Sequence, residues 1–294
     1  MQKRLKATFK KSSLTSSVVK KYLEFKNRER ILNCNYEGHK FYYPQKSLVG
    51  ECVSSGKGWD TNLIPILNRF LGKNPTIIEV GSNIGASLLQ MEIAKPEANY
   101  FCFEPSKRFL PILKKNIKAN RWNNVTLHSK ILSSEAKTIT LFNNSSTASP
   151  VVQEYDNHEF LFAQRIEATT LDTVFEGYEG KIDLIKVDTD GYDYDVLLGA
   201  QERIIIDQPI LYFEFHQGFL KIAGRDAVDF LNYLNSLGYN NFGVFSNFGK
   251  WLGFKVSSSE IMKLADQEIY LDLLALPEKD YEKTINALNN NFNQ

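Results

Sequence analysis

Residues 76–85, Thr-Ile-Ile-Glu-Val-Gly-Ser-Asn-Ile-Gly, constrain this chain most. An apolar run around one carboxylate, Glu79, leads into a turn bracketed by Gly81 and Gly85, and Ala86–Ala94 is then compatible with a helix. A strand that feeds a helix through such a turn lets its backbone press against a ligand. Glycine is needed there because no Cβ can intervene and φ can turn positive. The helix start adds N–H groups without intrahelical partners. The spacing is Glu79-x-Gly81-x-Asn83-x-Gly85, with Asn where a dinucleotide fingerprint places its second glycine, so the loop departs from a pyrophosphate cradle. Taken alone, it equally describes a strand-to-helix turn with no ligand.

Two further strand ends carry acids. Asn99–Glu104 is a second apolar run, and Glu104, followed by Pro105, lies 19 residues beyond Gly85. An acid at the end of the second strand of a nucleotide-binding sheet accepts hydrogen bonds from ribose hydroxyls. From Ile182, an apolar strand runs into Asp188, Asp190, Gly191 and Asp193. Ligands of open α/β sheets sit at the carboxyl ends of the strands, so these acids should share a crevice with Gly81–Gly85. Crowded carboxylates raise one another's pKa, which suits a general base for an alcohol. The same groups also suit a hard cation. Asp193 reads as a cap for the helix that follows. His216, two residues after Glu214, is a candidate base because imidazole titrates near neutral pH. It is equally a strand-end histidine paired with that acid. His39, His128 and His158 have no motif context and receive no role.

Strands and helices alternate from Thr76 onward. Strands are expected at 76–80, 99–104, 125–128, 182–187 and 209–215, with helices at 86–94, 107–119, 196–206 and 227–237. This is the pattern of an α/β domain with a mostly parallel sheet and helices on both faces. Asn241–Phe245 and Ile269–Leu276 are expected to close the sheet as a hairpin, leaving an antiparallel strand at one edge. Asn143–Gln164 breaks the rhythm as a long insertion after the third strand, where it can shape access to the crevice. Residues 1–70 form a basic leader with helices expected over Ser16–Arg30 and Asn62–Leu71, the second capped by Asp60. Residues 71–278 form the main domain, and 279–294 an Asn-rich tail.

Hydrophobic residues make up 43% of the chain, enough for a packed core. The net charge of +1 argues against bulk nucleic-acid binding. Residues 1–30 nevertheless hold ten Lys/Arg against two Glu, an arm that could meet an acidic partner or a membrane surface. Three scattered cysteines offer neither a disulfide framework nor a zinc pattern, and no stretch is apolar enough for a signal peptide or a membrane span. A cytoplasmic location and no bound metal are therefore expected.

As an ordered set, these motifs resemble the FkbM family of S-adenosylmethionine (SAM)-dependent methyltransferases. The set runs from Glu79, Gly81, Asn83 and Gly85 through Glu104-Pro105 and Thr169-Thr170-Leu171-Asp172. It continues through Ile182–Gly191 and Leu197-Leu198-Gly199-Ala200 to Tyr212-Phe213-Glu214. The resemblance spans about residues 55–276. One departure is Asp190, where the family usually has Glu. The resemblance implies a Rossmann-like class I methyltransferase sheet and O-methyl transfer from SAM to a hydroxyl of a sugar, glycan or related metabolite. It implies that Glu79, Gly81, Asn83 and Gly85 hold the methionine part, Glu104 the ribose and Ser129–Leu132 the adenine. Asp188 would lie at the reacting end, with Asp190 and His216 as further catalytic candidates. Two other readings compete. Asp188-Thr189-Asp190 has the Asp-x-Asp form of a metal-dependent glycosyltransferase, and a catalytically idle methyltransferase-like module would use the basic arm to bind a partner. A nicotinamide-dependent oxidoreductase fits poorly, since no Tyr-x-x-x-Lys pair follows the middle strands.

Overall fold

The computed structural model describes residues 30–144, 146–151 and 161–278. The basic arm before Arg30, residues 152–160 of the insertion and the tail from 279 lie outside the described residues.

Strand β1 (Ile31–Tyr36) turns at Glu37-Gly38, both with positive φ, into β2 (His39–Pro44). Such a turn matches the twist of a two-residue hairpin. Helices α1 (Leu48–Ser54) and α2 (Leu63–Phe70) follow. The main sheet then begins with β3 (Thr76–Val80), α3 (Ala86–Ala94), β4 (Asn99–Phe103), α4 (Leu110–Asn120) and β5 (Val125–His128). A side excursion contains β6 (Ile131–Leu132), β7 (Thr138–Asn143), β8 (Ala148–Ser149) and β9 (Phe162–Thr169). The chain returns through α5 (Leu171–Val174), β10 (Leu184–Val187), α6 (Asp193–Leu198), α7 (Gln201–Asp207) and β11 (Ile210–Phe215). It finishes with α8 (Gln217–Ile222), α9 (Ala227–Ser236), β12 (Asn241–Ser246), β13 (Trp251–Lys255), α10 (Ser258–Ala265) and β14 (Leu271–Leu276).

The eight-stranded sheet has the order β13-β12-β14-β11-β10-β3-β4-β5. Pairings from β11 through to β5 are parallel, and those among β11, β14, β12 and β13 are antiparallel. β3 and β10 are buried along their whole length, as expected for parallel strands covered on both faces. Alternate residues feed two cores: Ile78 and Ile185 pack on one face, Ile77 and Leu184 on the other. The N-terminal segment shares the second core, through Phe41, Leu63 and Ile66. Two asparagines of α4 dock β2 by imitating a neighbouring strand. The Asn116 amide accepts from Tyr42 N–H and donates to Tyr42 C=O, and Asn120 does the same with Lys40.

Several sequence expectations need correction. β12 and β14 do pair, but not as a hairpin. β14 is inserted between β11 and β12, while β13 folds back on β12 and supplies the antiparallel edge. β14 is apolar at all but Asp272, which suits an interior strand better than an edge. Around the insertion, β6, β9, β7 and β8 form a second sheet, to which the insertion itself contributes β8 and the start of β9. The period of β9 is masked because its inward position is Gln164. That amide accepts from Lys107 N–H and donates to Pro105 C=O. The helix expected over 196–206 is broken at Gly199, where a Cβ would stand 2.0 Å from the Ser133 carbonyl oxygen. Asp60 does not cap α2, whose N-cap is Asn62. Apart from Arg30, the expected N-terminal helix falls outside the described residues.

Candidate active site

The carboxyl ends of β3, β4, β10 and β11, with the adjoining start of β14, open into one cavity of about 660 Å³. Gly81, Asn83 and Glu104 line it from the β3–β4 side; Asp188, Asp190, Glu214 and His216 line it from the β10–β11 side. The two halves of the expected site are therefore in one place.

Gly81 must be glycine. Its φ is +88°, and a Cβ would lie 1.9 Å from the Asp188 carbonyl oxygen. Its N–H, like that of Ser82, donates to the Phe103 carbonyl, so the loop after β3 lies over the end of β4. This brings Glu104 into register with the turn. Glu104 Oε2 accepts from Asn83 N–H at 2.7 Å and Oε1 from Ser106 N–H at 2.7 Å. Both oxygens are thus aimed and fixed, and each keeps a second lone pair. Burial pushes this carboxyl up to about 8 against those two N–H groups. Asn83 Nδ2 donates to the Ser146 carbonyl at 3.0 Å, which clamps the insertion over the loop.

Three expected binding residues do not reach the cavity. Gly85 has φ +86° but faces α4, where its Cβ position is 2.7 Å from Leu113 Cδ1, so it serves helix packing. Glu79 is fully buried within the sheet, where Oε2 accepts from Cys102 Sγ; burial raises its pKa and Lys186 opposes the rise. Ser129 is exposed and outside the cavity lining.

Lys186 organises the β10 side. Its side chain is 1% exposed, and Nζ lies 3.0 Å from Asp188 Oδ2 and 3.4 Å from Asp60 Oδ2. Burial alone would push this ammonium down, but Asp188, Asp60 and Glu79 hold it well above its ordinary value. Asp60 also accepts from Ser87 Oγ at 2.6 Å. Sequence reasoning missed both Lys186 and Asp60. The signal for the lysine was available, since a lysine within the apolar run Leu-Ile-Lys-Val needs a buried acid to pair with. Asp60 carried none, because its contacts cross from the N-terminal segment.

Asp190, at φ +53°, accepts from Thr147 Oγ1 of the insertion. Asp193 Oδ2 accepts from Thr189 Oγ1 and Gly191 N–H and so braces the loop; burial pushes it up to about 7. His216 caps α8: Nδ1 accepts from Phe219 N–H at 3.2 Å, and the ring stacks on Phe219. Burial lowers its pKa, so the ring is neutral with its proton on Nε2. In that form it presents a donor, not a base, to the cavity.

Six carboxyl groups line this space: Asp60, Glu104, Asp188, Asp190, Glu214 and Asp272. Among the described residues, no lysine or arginine does. Burial raises Glu214 and Asp272 well above the ordinary range, and neighbouring acids add to the rise. Trp59, Phe219 and Tyr270 supply aromatic surface. Among the described residues, no group of three or more His, Cys, Asp or Glu is arranged to hold a metal ion.

The strand–turn–helix loop and the buried carboxylate that ends the neighbouring strand open on one crevice at the carboxyl edge of an open α/β sheet, where such sheets place their ligands. The match to known families narrows this. Residues 79–240 match the Methyltransferase FkbM domain, and the chain belongs to that methyltransferase family. Methyltransferase sdnD of Sordaria araneosa is 31% identical over 163 residues, covering 45% of this chain and 63% of that protein. The chain thus spans less than two thirds of that curated relative. Among solved structures, the FkbM methyltransferase of Methylobacillus flagellatus KT is similar with a TM-score of 0.43 at 16% identity, over 68% of this chain and 43% of that one. TYW2 of M. jannaschii, solved with AdoMet, gives 0.43 at 14% identity over 85% and 86%. Similarity at that level carries no weight for the chemistry of this chain.

Proposed function

We propose that the chain is a SAM-dependent O-methyltransferase acting on a hydroxyl of a sugar, glycan or related metabolite. One observation carries the reading: the Gly81–Asn83 loop and the Glu104 carboxylate share a single cavity that, among the described residues, is lined by carboxyl groups and no lysine or arginine. The cofactor suits this lining. It brings a sulfonium and an ammonium, both cationic, and two vicinal ribose hydroxyls that donate hydrogen bonds. Glu104 keeps one free lone pair on each oxygen for those hydroxyls. Gly81 and Asn83 would lie against the methionine part.

SAM, when bound, supplies a methyl group on a good leaving group. What the chain must do is align an oxygen with that methyl and take its proton. Alignment contributes much of the rate. Asp188 is assigned the proton, since Lys186 fixes Oδ2 while the side chain stays 35% exposed at the cavity. His216 Nε2–H and Asp190 are assigned to orienting the acceptor. A cytoplasmic location belongs to the same proposal, supported by three free thiols, Cys34, Cys52 and Cys102. Among the described residues no helix is long and apolar enough to cross a membrane. A peripheral contact through residues 1–30 rests on their charge alone.

Calorimetry with SAM and S-adenosylhomocysteine in chelator tests the cofactor assignment, followed by transfer of labelled methyl to hydroxylated acceptors. Heat of binding for both ligands is expected. No heat for either would favour the idle module, and binding of a nucleotide sugar that depends on metal would favour the glycosyltransferase.

A further inference from the structure

The rim of the cavity carries apolar side chains that face water. Leu48, at the start of α1, is 53% exposed, and Ile269, just before β14, is 68% exposed. Both line the cavity, so they stand at its mouth. Phe248, 86% exposed, belongs to the same rim. β12 runs in the direction of β11, since each is antiparallel to β14, so the turn after β12 leaves the sheet at the edge where the cavity opens. Two contacts fix that turn beside the mouth. The Asn247 carbonyl accepts from Tyr270 O–H at 3.3 Å, and the Cβ position of Gly249 is 3.1 Å from Asn62 Oδ1. A phenyl ring held out at the tip of an anchored turn, with two exposed aliphatic side chains on the same rim, marks an interaction surface.

The basic arm joins the fold at this mouth. The Arg30 carbonyl accepts from Gln45 N–H at 2.9 Å, three residues before Leu48. Residues 1–29 hold nine Lys/Arg against two Glu. The rim's own charges are mixed: Lys46 and Lys250 lie beside Leu48 and Phe248, but Asp266 and Glu268 precede Ile269. Electrostatic attraction must therefore come from the arm. Stable attachment to a bilayer takes two signals, and apolar side chains that can enter the headgroup layer beside a positive cluster supply both. A second copy of the chain fits less well, since three side chains fall far short of the roughly 800 Å² per partner that a stable dimer buries.

We infer that the mouth of the cavity docks on an anionic lipid bilayer. Leu48, Phe248 and Ile269 enter the headgroup layer, and the basic arm meets the lipid phosphates. Docked this way, the cavity opens toward the headgroups.

Co-sedimentation of the full chain with vesicles tests this, using phosphatidylcholine alone or mixed with phosphatidylglycerol. Binding to the mixed vesicles is expected to exceed that to the neutral ones about tenfold or more, and to weaken with salt. Phe248→Ser and Ile269→Ser, each with an unchanged thermal melt, should weaken it about tenfold, the worth of burying one large apolar side chain. Val256→Ser, exposed at the opposite edge of the sheet after β13, should not. The triple variant Lys20→Gln, Lys21→Gln, Lys26→Gln should cost about a hundredfold, at about fivefold for each charge. Equal binding to both vesicle types, rim variants that bind as the native chain does, or no binding to either overturns the inference. Concentration-dependent self-association that the rim variants lose would overturn it too, in favour of a second copy. All of these results leave the methyltransferase reading standing, since calorimetry with S-adenosylhomocysteine tests it separately.

Discussion

On the proposed function, Glu104 would make cofactor binding a proton-linked event. Burial holds its carboxyl at about 8, although two backbone N–H groups favour the ionised form. Ribose hydroxyls can both donate only when both oxygens retain a free lone pair, so the binding-competent state is the carboxylate. With a pKa of about 8, roughly one-tenth of the free protein is competent at pH 7 and roughly nine-tenths at pH 9. The association constant for SAM should therefore rise about tenfold across that interval, about 1.4 kcal/mol. Binding at pH 7 should release close to one proton from this group. Calorimetry in two buffers of different ionisation enthalpy reads both quantities. The cofactor's own ammonium titrates in the same range, so the signal is the difference between the native chain and Glu104→Gln. The variant should bind about tenfold or more weakly, because its amide sets an N–H against a backbone N–H, and should lack the Glu104 contribution to the pH slope. In the free protein the sign reverses. The folded state binds the extra proton, so the Glu104 contribution to stability falls as pH rises from the ordinary glutamate range through about 8. Coincident pH profiles for the native chain and the variant would refute the reasoning.

Gly81→Ala should cost about 3 kcal/mol or more in denaturant melts, since it meets the Asp188 carbonyl at positive φ; full stability would mean the loop is not pinned there. Lys186→Met should destabilise the fold by about 3 kcal/mol by leaving Asp60, and the part-exposed Asp188 beside it, without their cation. That loss should shrink as pH falls, because Asp60, whose carboxyl burial already raises, can then take up a proton; a loss independent of pH would point to packing instead. Asp188→Asn should lower turnover by about a hundredfold or more while S-adenosylhomocysteine still binds, as stopped-time transfer assays and calorimetry can show. Retained turnover would move the proton to Asp190.

Much of the fold was legible because its signals are local. The strand–turn–helix at Thr76–Ala94 shows itself through an apolar run and two glycines, and Glu104 through an acid-Pro pair at the next strand end. Gly81 and Gly85 look alike in sequence, yet one meets the Asp188 carbonyl and the other the Leu113 side chain. Both need positive φ, which the sequence can suggest. Which side of the loop each faces depends on what packs there. Ser129 is a similar case: it is exposed and outside the cavity lining, and no residue near it signals that. His216 appears as a base in the sequence, but the turn into α8 engages Nδ1 and leaves Nε2–H.

The chain by itself determined an alternating α/β domain and a glycine turn beside an acid strand end, which follow from period, composition and spacing acting over a few residues; the methyltransferase reading came from the resemblance of its ordered motifs to a family. The tertiary structure decided that β14 lies inside the sheet, that Asp60 and Lys186 build the floor of the site, and that Glu214 faces Asp272. Those contacts join residues far apart in the chain, and register and burial, not local propensity, set which acids meet a cation.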